Sequence, residues 1–171
     1  YKENNKIKIG FVSPDFVVNH SVTYFVKNTI KNLDKNIFEV SVYQIGESSL
    51  LKSSSKELKD NADFWYDLSK TSNQEIVDKI QADKIEILFD VMGLTGAKNI
   101  EIFNNRVCPI QISWLAFCNT VGFNDIDYII ADKNLIYDEE EKYYSEKIIK
   151  LPHVWNCHSG FPFKREKLDL P

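Results

Sequence analysis

Short runs of β-branched and aromatic residues alternate along this chain with segments whose apolar residues recur at helical spacing, and that alternation leaves few folds open. Residues 7–12 (Ile-Lys-Ile-Gly-Phe-Val) read as a strand; from Ser21 the apolar positions Val22, Phe25, Val26, Ile30 and Leu33 form a helical stripe. Residues 38–45 return to strand character, the Ser-rich stretch 48–55 reads as a loop or frayed helix start, 56–62 as helix and 64–68 as a short strand. Ser72 and Glu75 form an S-x-x-E capping box, each able to satisfy a free amide of the first turn, and Ile76, Val77 and Ile80 supply the buried face behind it. Residues 85–92 suit a strand covered on both faces. Ala97, Ile100, Phe103 and Val107 mark a helix that Pro109 stops; 110–117 and 128–131 are strands, 139–146 is helical and 148–151 is a last extended piece. Such alternation means βαβ units with right-handed crossovers. The predicted fold class is therefore α/β, a Rossmann-like, mostly parallel sheet with helices on both faces. In such sheets ligands sit beyond the carboxyl ends of the strands, which directs attention to loops 13–20, 93–96 and 117–122.

Composition removes several function classes. The 171 residues are 43% hydrophobic and 27% charged with a net charge of −4, which fits one globular domain over 1–171. The charges are mixed and form no basic stripe, so nucleic acid is not an expected partner; the acidic run 138–141 reads as the start of a solvated helix. No apolar stretch is long enough to cross a bilayer and the N-terminus is polar, so no membrane partner or signal peptide is expected. Three widely spaced cysteines, Cys108, Cys118 and Cys157, do not read as a disulfide framework and fit a reducing cytoplasm. The chain starts with Tyr rather than Met and so reads as a fragment or processed product; its Lys, Asn and Ile content hints at an AT-rich bacterial genome.

Nucleotide fingerprints are missing. Only six glycines are present, and strand one is followed by Ser13-Pro14-Asp15-Phe16 rather than by G-x-G-x-x-G; there is no phosphate loop and no G-x-S-x-G. Four segments carry chemistry. His20 closes the loop after strand one at a helix N-terminus, where partial positive charge disfavours imidazolium and leaves a ring able to accept a proton or hydrogen bond; alternatively Asn19 or Ser21 caps the helix and His20 packs there. Gly93-Leu94-Thr95-Gly96 makes a tight turn that either exposes backbone amides or only connects. Residues 113–122, with Trp114 and Phe117, form either a sugar-sized wall or a plain connection. The run His153-Val154-Trp155-Asn156-Cys157-His158 lacks a second ligand pair at metal-site spacing, so no metal is expected and an edge segment is the simpler reading.

In this order the segments resemble the first lobe of the catalytic region of O-GlcNAc transferases and the related SPINDLY proteins. The resemblance rests on Ile9 to Phe16 with Asn19-His20, Phe38-Glu39-Val40, Asp67-Leu68-Ser69, Ile87 to Asp90, Gly93-x-Thr95, Pro109-Ile110-Gln111 with Trp114-Leu115, Asp127 to Ile130, Tyr144-Ser145-Glu146-Lys147 and Leu151-Pro152. Each piece is short, but they are colinear over nearly the whole chain. The resemblance implies one lobe of a two-lobed GT-B enzyme, usually preceded by TPR repeats, that moves a sugar from a UDP-sugar to Ser or Thr hydroxyls of proteins with inversion. It implies His20 as the catalytic residue of the cleft and Asn19, Gly93, Thr95, Leu115, Ala116, Cys118 and Thr120 as the substrate-binding set. No cofactor is implied: the UDP-sugar is a substrate, held mainly by a second lobe that this sequence does not contain. The expected partners are that second lobe, the TPR repeats and a protein acceptor. GlcNAc is the first expectation for the sugar, with fucose, glucose or a non-catalytic protein-binding domain as alternatives. The chain departs from the family at Ala116-Phe117-Cys118-Asn119-Thr120, where Gly-Tyr-Pro-Gly-Thr is common, at Leu94, where bacterial members often carry His, and at Ser21, where proline is usual.

Overall fold

The structure is a computed structural model that describes residues 6–47 and 53–160. Seven strands form one sheet in the order β3-β2-β1-β4-β5-β6-β7, every neighbouring pair parallel. They are β1 (Ile7–Ser13), β2 (Phe38–Ile45), β3 (Phe64–Leu68), β4 (Ile87–Asp90), β5 (Ile110–Ser113), β6 (Tyr128–Ala131) and β7 (Lys147–Lys150). The helices are α1 (Ser21–Asn32), α2 (Lys56–Asn61) and α3 (Asn73–Asp83), with 3-10 segments at Gly93–Asn104 and Asp138–Tyr143. The Rossmann-like α/β fold expected from the alternation is present, and the sheet is wholly parallel.

Each face has its own core. Val22, Val26 and Ile30 of α1 and Leu58 of α2 pack with Ile9, Phe11, Val40 and Val42 on one side. Ile76, Val77 and Ile80 of α3, with Ile102 and Phe103, pack with Val12, Tyr43 and Leu88 on the other. The capping box is formed as read: Ser72 Oγ accepts from the Glu75 amide and the Glu75 carboxylate accepts from the Ser72 amide. On the α1 side an apolar cavity of about 400 Å³ lies over β1, β4 and β6, and residues 151–157 run along its rim.

Seven element bounds differ from the sequence reading, two of them by one residue (β1 runs on to Ser13 and α2 ends at Asn61), and the predicted loop 48–55 lies outside the described residues over 48–52. The strand expected over 85–92 is confined to Ile87–Asp90, because the Asp90 carboxylate accepts the Met92 and Gly93 amides and turns the chain. The strand expected over 110–117 stops at Ser113, because Leu115 takes φ +91°, outside the extended region. The helices expected from Ala97 to Val107 and over 139–146 are 3-10 segments at Gly93–Asn104 and Asp138–Tyr143. The last strand lies one residue earlier than 148–151.

Candidate active site

The strand order reverses between β1 and β4, the crevice where open parallel sheets bind ligands. The loops after β1, β4 and β5 meet there.

The first loop is rigid. Ser13 Oγ accepts the Asp15 amide, and the buried Thr23 hydroxyl lies 3.0 Å from the Asp15 carbonyl and 2.9 Å from that of Val17. Residues 53–55 hold it from outside: the Val18 amide donates to the Ser53 carbonyl and the Ser55 amide to that of Phe16. His20 ends this loop and is itself the cap of α1, correcting the alternative in which Asn19 or Ser21 caps. Its Nδ1 accepts the Val22 amide at 3.4 Å. Asn19, at φ +61°, instead accepts the Tyr24 hydroxyl at 3.0 Å. With Nδ1 accepting, a neutral ring carries its proton on Nε2, and that nitrogen lies 3.5 Å from Asp15 Oδ1. Asp15, which was not singled out in the sequence, is therefore the carboxylate nearest that proton.

Against Ser21, the residue after His20, opens a cavity of about 260 Å³, just below the ~300–1,000 Å³ usual for small-molecule clefts. Ser21, Val22 and Phe25 of α1 line one side, Leu115, Ala116 and Cys118 the second, Trp155 and Asn156 the third. Three of the residues singled out in the sequence thus share one wall. The other five, His20 among them, do not line it. Asn19 holds Tyr24, and the Thr95 hydroxyl turns back onto the Met92 carbonyl. Gly93 packs beneath Phe117, and the Thr120 hydroxyl bonds Glu146 at 2.6 Å.

Trp155 and Asn156 were read as part of an edge segment. Asp132, at the end of β6, brings them in. Its buried carboxylate accepts the Asn134, Leu135 and Trp155 amides, and Trp114 Nε1 donates to the Trp155 carbonyl. Burial pushes the Asp132 carboxyl up, but these amides outweigh it and hold it below the usual range. Further along, His158 stacks on Tyr24 and meets Phe25 edge-on, and the Ser159 amide donates to the Tyr24 carbonyl. A Trp–Asn pair close after a strand was the only signal in the sequence for this wall.

Asp90 behaves differently. Burial pushes its carboxyl up to about 6, against the Gly93 and Met92 amides, which pull it down. The folded state then keeps the proton longer than the unfolded chain. Stability falls as pH rises from about 4 through about 6 and is level above. Asp90→Asn is expected to gain about 3 kcal/mol relative to the parent between pH 4 and 7. Urea midpoints of both proteins across that range check it; a difference independent of pH contradicts it.

The profile of glycosyl transferase family 41 matches residues 1–160. The chain belongs to glycosyl transferase family 41. Among similar curated proteins, the probable UDP-N-acetylglucosamine–peptide N-acetylglucosaminyltransferase SPINDLY of Oryza sativa subsp. japonica is 29% identical over 157 residues, covering 90% of this chain and 17% of that protein. The corresponding protein SEC of Arabidopsis thaliana is 31% identical over 166 residues, covering 96% and 16%. A solved lysine-to-methionine mutant of the Thermobaculum terrenum O-GlcNAc transferase superposes with TM-score 0.78 at 27% identity, covering 91% of this chain and 29% of that one. The chain spans about one sixth of the curated relatives' length, so within family 41 it corresponds to a part of those proteins. Among the described residues no helix is long and apolar enough to cross a membrane.

Proposed function

We propose that this chain forms the first lobe of a two-lobed, inverting family 41 enzyme that transfers a sugar, GlcNAc first among the candidates, from a UDP-sugar to Ser or Thr hydroxyls of proteins. The observation that carries the reading is the cavity that Leu115, Ala116 and Cys118 wall against Ser21, Val22 and Phe25 of α1, the helix that His20 caps, close to the β1–β4 reversal. Inverting transfer needs a hydroxyl held in line with the anomeric carbon and stabilisation of the departing phosphate. His20 sits where it can orient the acceptor hydroxyl, presenting an Nε2–H poised by Asp15; a base role requires Nδ1 to release the Val22 amide. Donor phosphate binding falls to a second lobe, which fits the missing glycine fingerprints here, and the expected cofactor requirement is none. TPR repeats, a protein acceptor and a bacterial cytoplasmic setting complete the proposal.

The test is a donor screen on the full-length protein, with UDP-GlcNAc, UDP-glucose and GDP-fucose supplied in turn and alkali-labile label on protein acceptors measured. Label from UDP-GlcNAc supports the reading; label from another donor alone reassigns the sugar; none from any donor overturns it. Residues 1–171 alone are expected to give no label, since half a cleft cannot bind both substrates.

A further inference from the structure

The loop that walls the cavity is held at its far end by a carboxylate that the reaction does not use. Glu146, just before β7, is buried at 4% exposure. Its Oε1 accepts the Val121 amide at 2.8 Å; its Oε2 accepts the Thr120 hydroxyl at 2.6 Å and the Ser145 hydroxyl at 3.1 Å. The Thr120 oxygen also lies 3.3 Å from both the Gly122 and Ser145 amides, which occupy its lone pairs. Its own hydrogen is therefore given away, either straight to Glu146 Oε2 or to the Ser145 hydroxyl 2.9 Å off, which passes its own on to the same Oε2. A carboxylate accepts at both of its oxygens. A glutamine accepts at one atom only: turned one way its N–H faces the Val121 amide, turned the other it removes the acceptor at which the two hydroxyls end.

The other end of the loop is under tension. Leu115 holds φ +91° with its side chain buried, a backbone state that persists only where the surroundings over-determine it. Between the two ends lie Ala116 and Cys118 of the cavity wall. We propose that Glu146 is a positioning residue for the donor-sugar pocket: its three-donor clamp on Thr120, Val121 and Ser145 keeps the 115–118 wall in its strained, pocket-forming shape. This rests on the glycosyltransferase reading given above.

Cys118 reports the wall directly. The residue is exposed, and partial shielding of its sulfur pushes the thiol up, so labelling of the closed loop starts slow. In the full-length protein, Glu146→Gln and Thr120→Val are expected to raise the iodoacetamide labelling rate of Cys118, read by peptide mass spectrometry, about tenfold. They are expected to raise the donor KM by about the same factor, with kcat and acceptor KM within about threefold. Thr120→Ser, which restores the hydroxyl, is expected to match the parent in both. A bulk packing role would instead be met by the near-isosteric Gln and Val. Parental labelling in both variants with unchanged melting temperature overturns the clamp. Faster labelling with a parental donor KM overturns its link to the pocket. If the parent turns over no donor, the functional reading fails, while the labelling comparison still decides the clamp.

Discussion

Gly93→Ala is expected to cost about 3 kcal/mol of stability and to disturb the cavity wall with it. Two strains add. Gly93 sits at φ +51°, which a residue with a Cβ adopts at a cost of roughly 1–2 kcal/mol. The new methyl would also stand 2.3 Å from Phe117 Cβ. That atom is fixed to the backbone, so no rotamer change relieves the clash and the 115–118 loop itself must move. Overpacking of this kind costs typically 1–3 kcal/mol. Nor can the glycine retreat, because its amide and that of Met92 are held by Asp90. In a domain of this size about 3 kcal/mol corresponds to melting some 6–12 °C lower. A shift under about 2 °C by calorimetry would mean that the β4 and β5 loops slide freely past each other, against the packing described.

The second large effect is catalytic. His20 caps α1 and, on the proposed function, acts on the acceptor, and two substitutions separate those roles. Ala removes the cap and the ring, and is expected to cost about 1 kcal/mol of stability; Asn, a strong capping residue, keeps the cap at little cost. In the full-length enzyme both should reduce turnover about a hundredfold or more if the imidazole takes or directs the acceptor proton. A loss under about threefold in the Asn variant with normal substrate binding would reduce His20 to a helix cap. The comparison matters because Nδ1 is engaged by the Val22 amide, so the ring offers the cleft an N–H before it offers a base.

The strands and helices were legible because burial wrote them into the order of residues. Residues 38–45, 64–68 and 128–131 occupy their strands to the residue, since short runs of β-branched or aromatic residues bounded by polar ones fit a pleated surface. What escaped the sequence was decided by single polar groups acting across gaps. Asp90 shortens β4 by bonding amides two and three residues on, and φ +91° at Leu115 ends β5 although Leu115 to Phe117 read as more strand. His20 caps its helix where Asn19 would be the statistical choice, because Asn19 is turned toward Tyr24. The Trp155–Asn156 wall depends on Asp132, twenty-three residues earlier, and on the Trp114 indole, forty-one residues earlier. Periodicity carries no trace of such pairings. Leu115, Ala116 and Cys118, by contrast, were expected at a pocket from the family resemblance, while the rule that ligands sit beyond parallel strand ends pointed only to 117–122.

The loop after β5 crosses the edge of the sheet. Trp114, Leu115 and Ala116 belong to the core on the α1 side, whereas Phe117 and Val121 belong to the core on the α3 side. The cavity wall is thus a saddle with a leg in each hydrophobic layer. A methyl gained or lost deep in either layer shifts one leg and tilts the saddle between them. On the proposed function, substitutions at buried aliphatic positions that never touch a substrate are therefore expected to alter the choice of sugar. A search for specificity determinants confined to the cavity lining would pass over them.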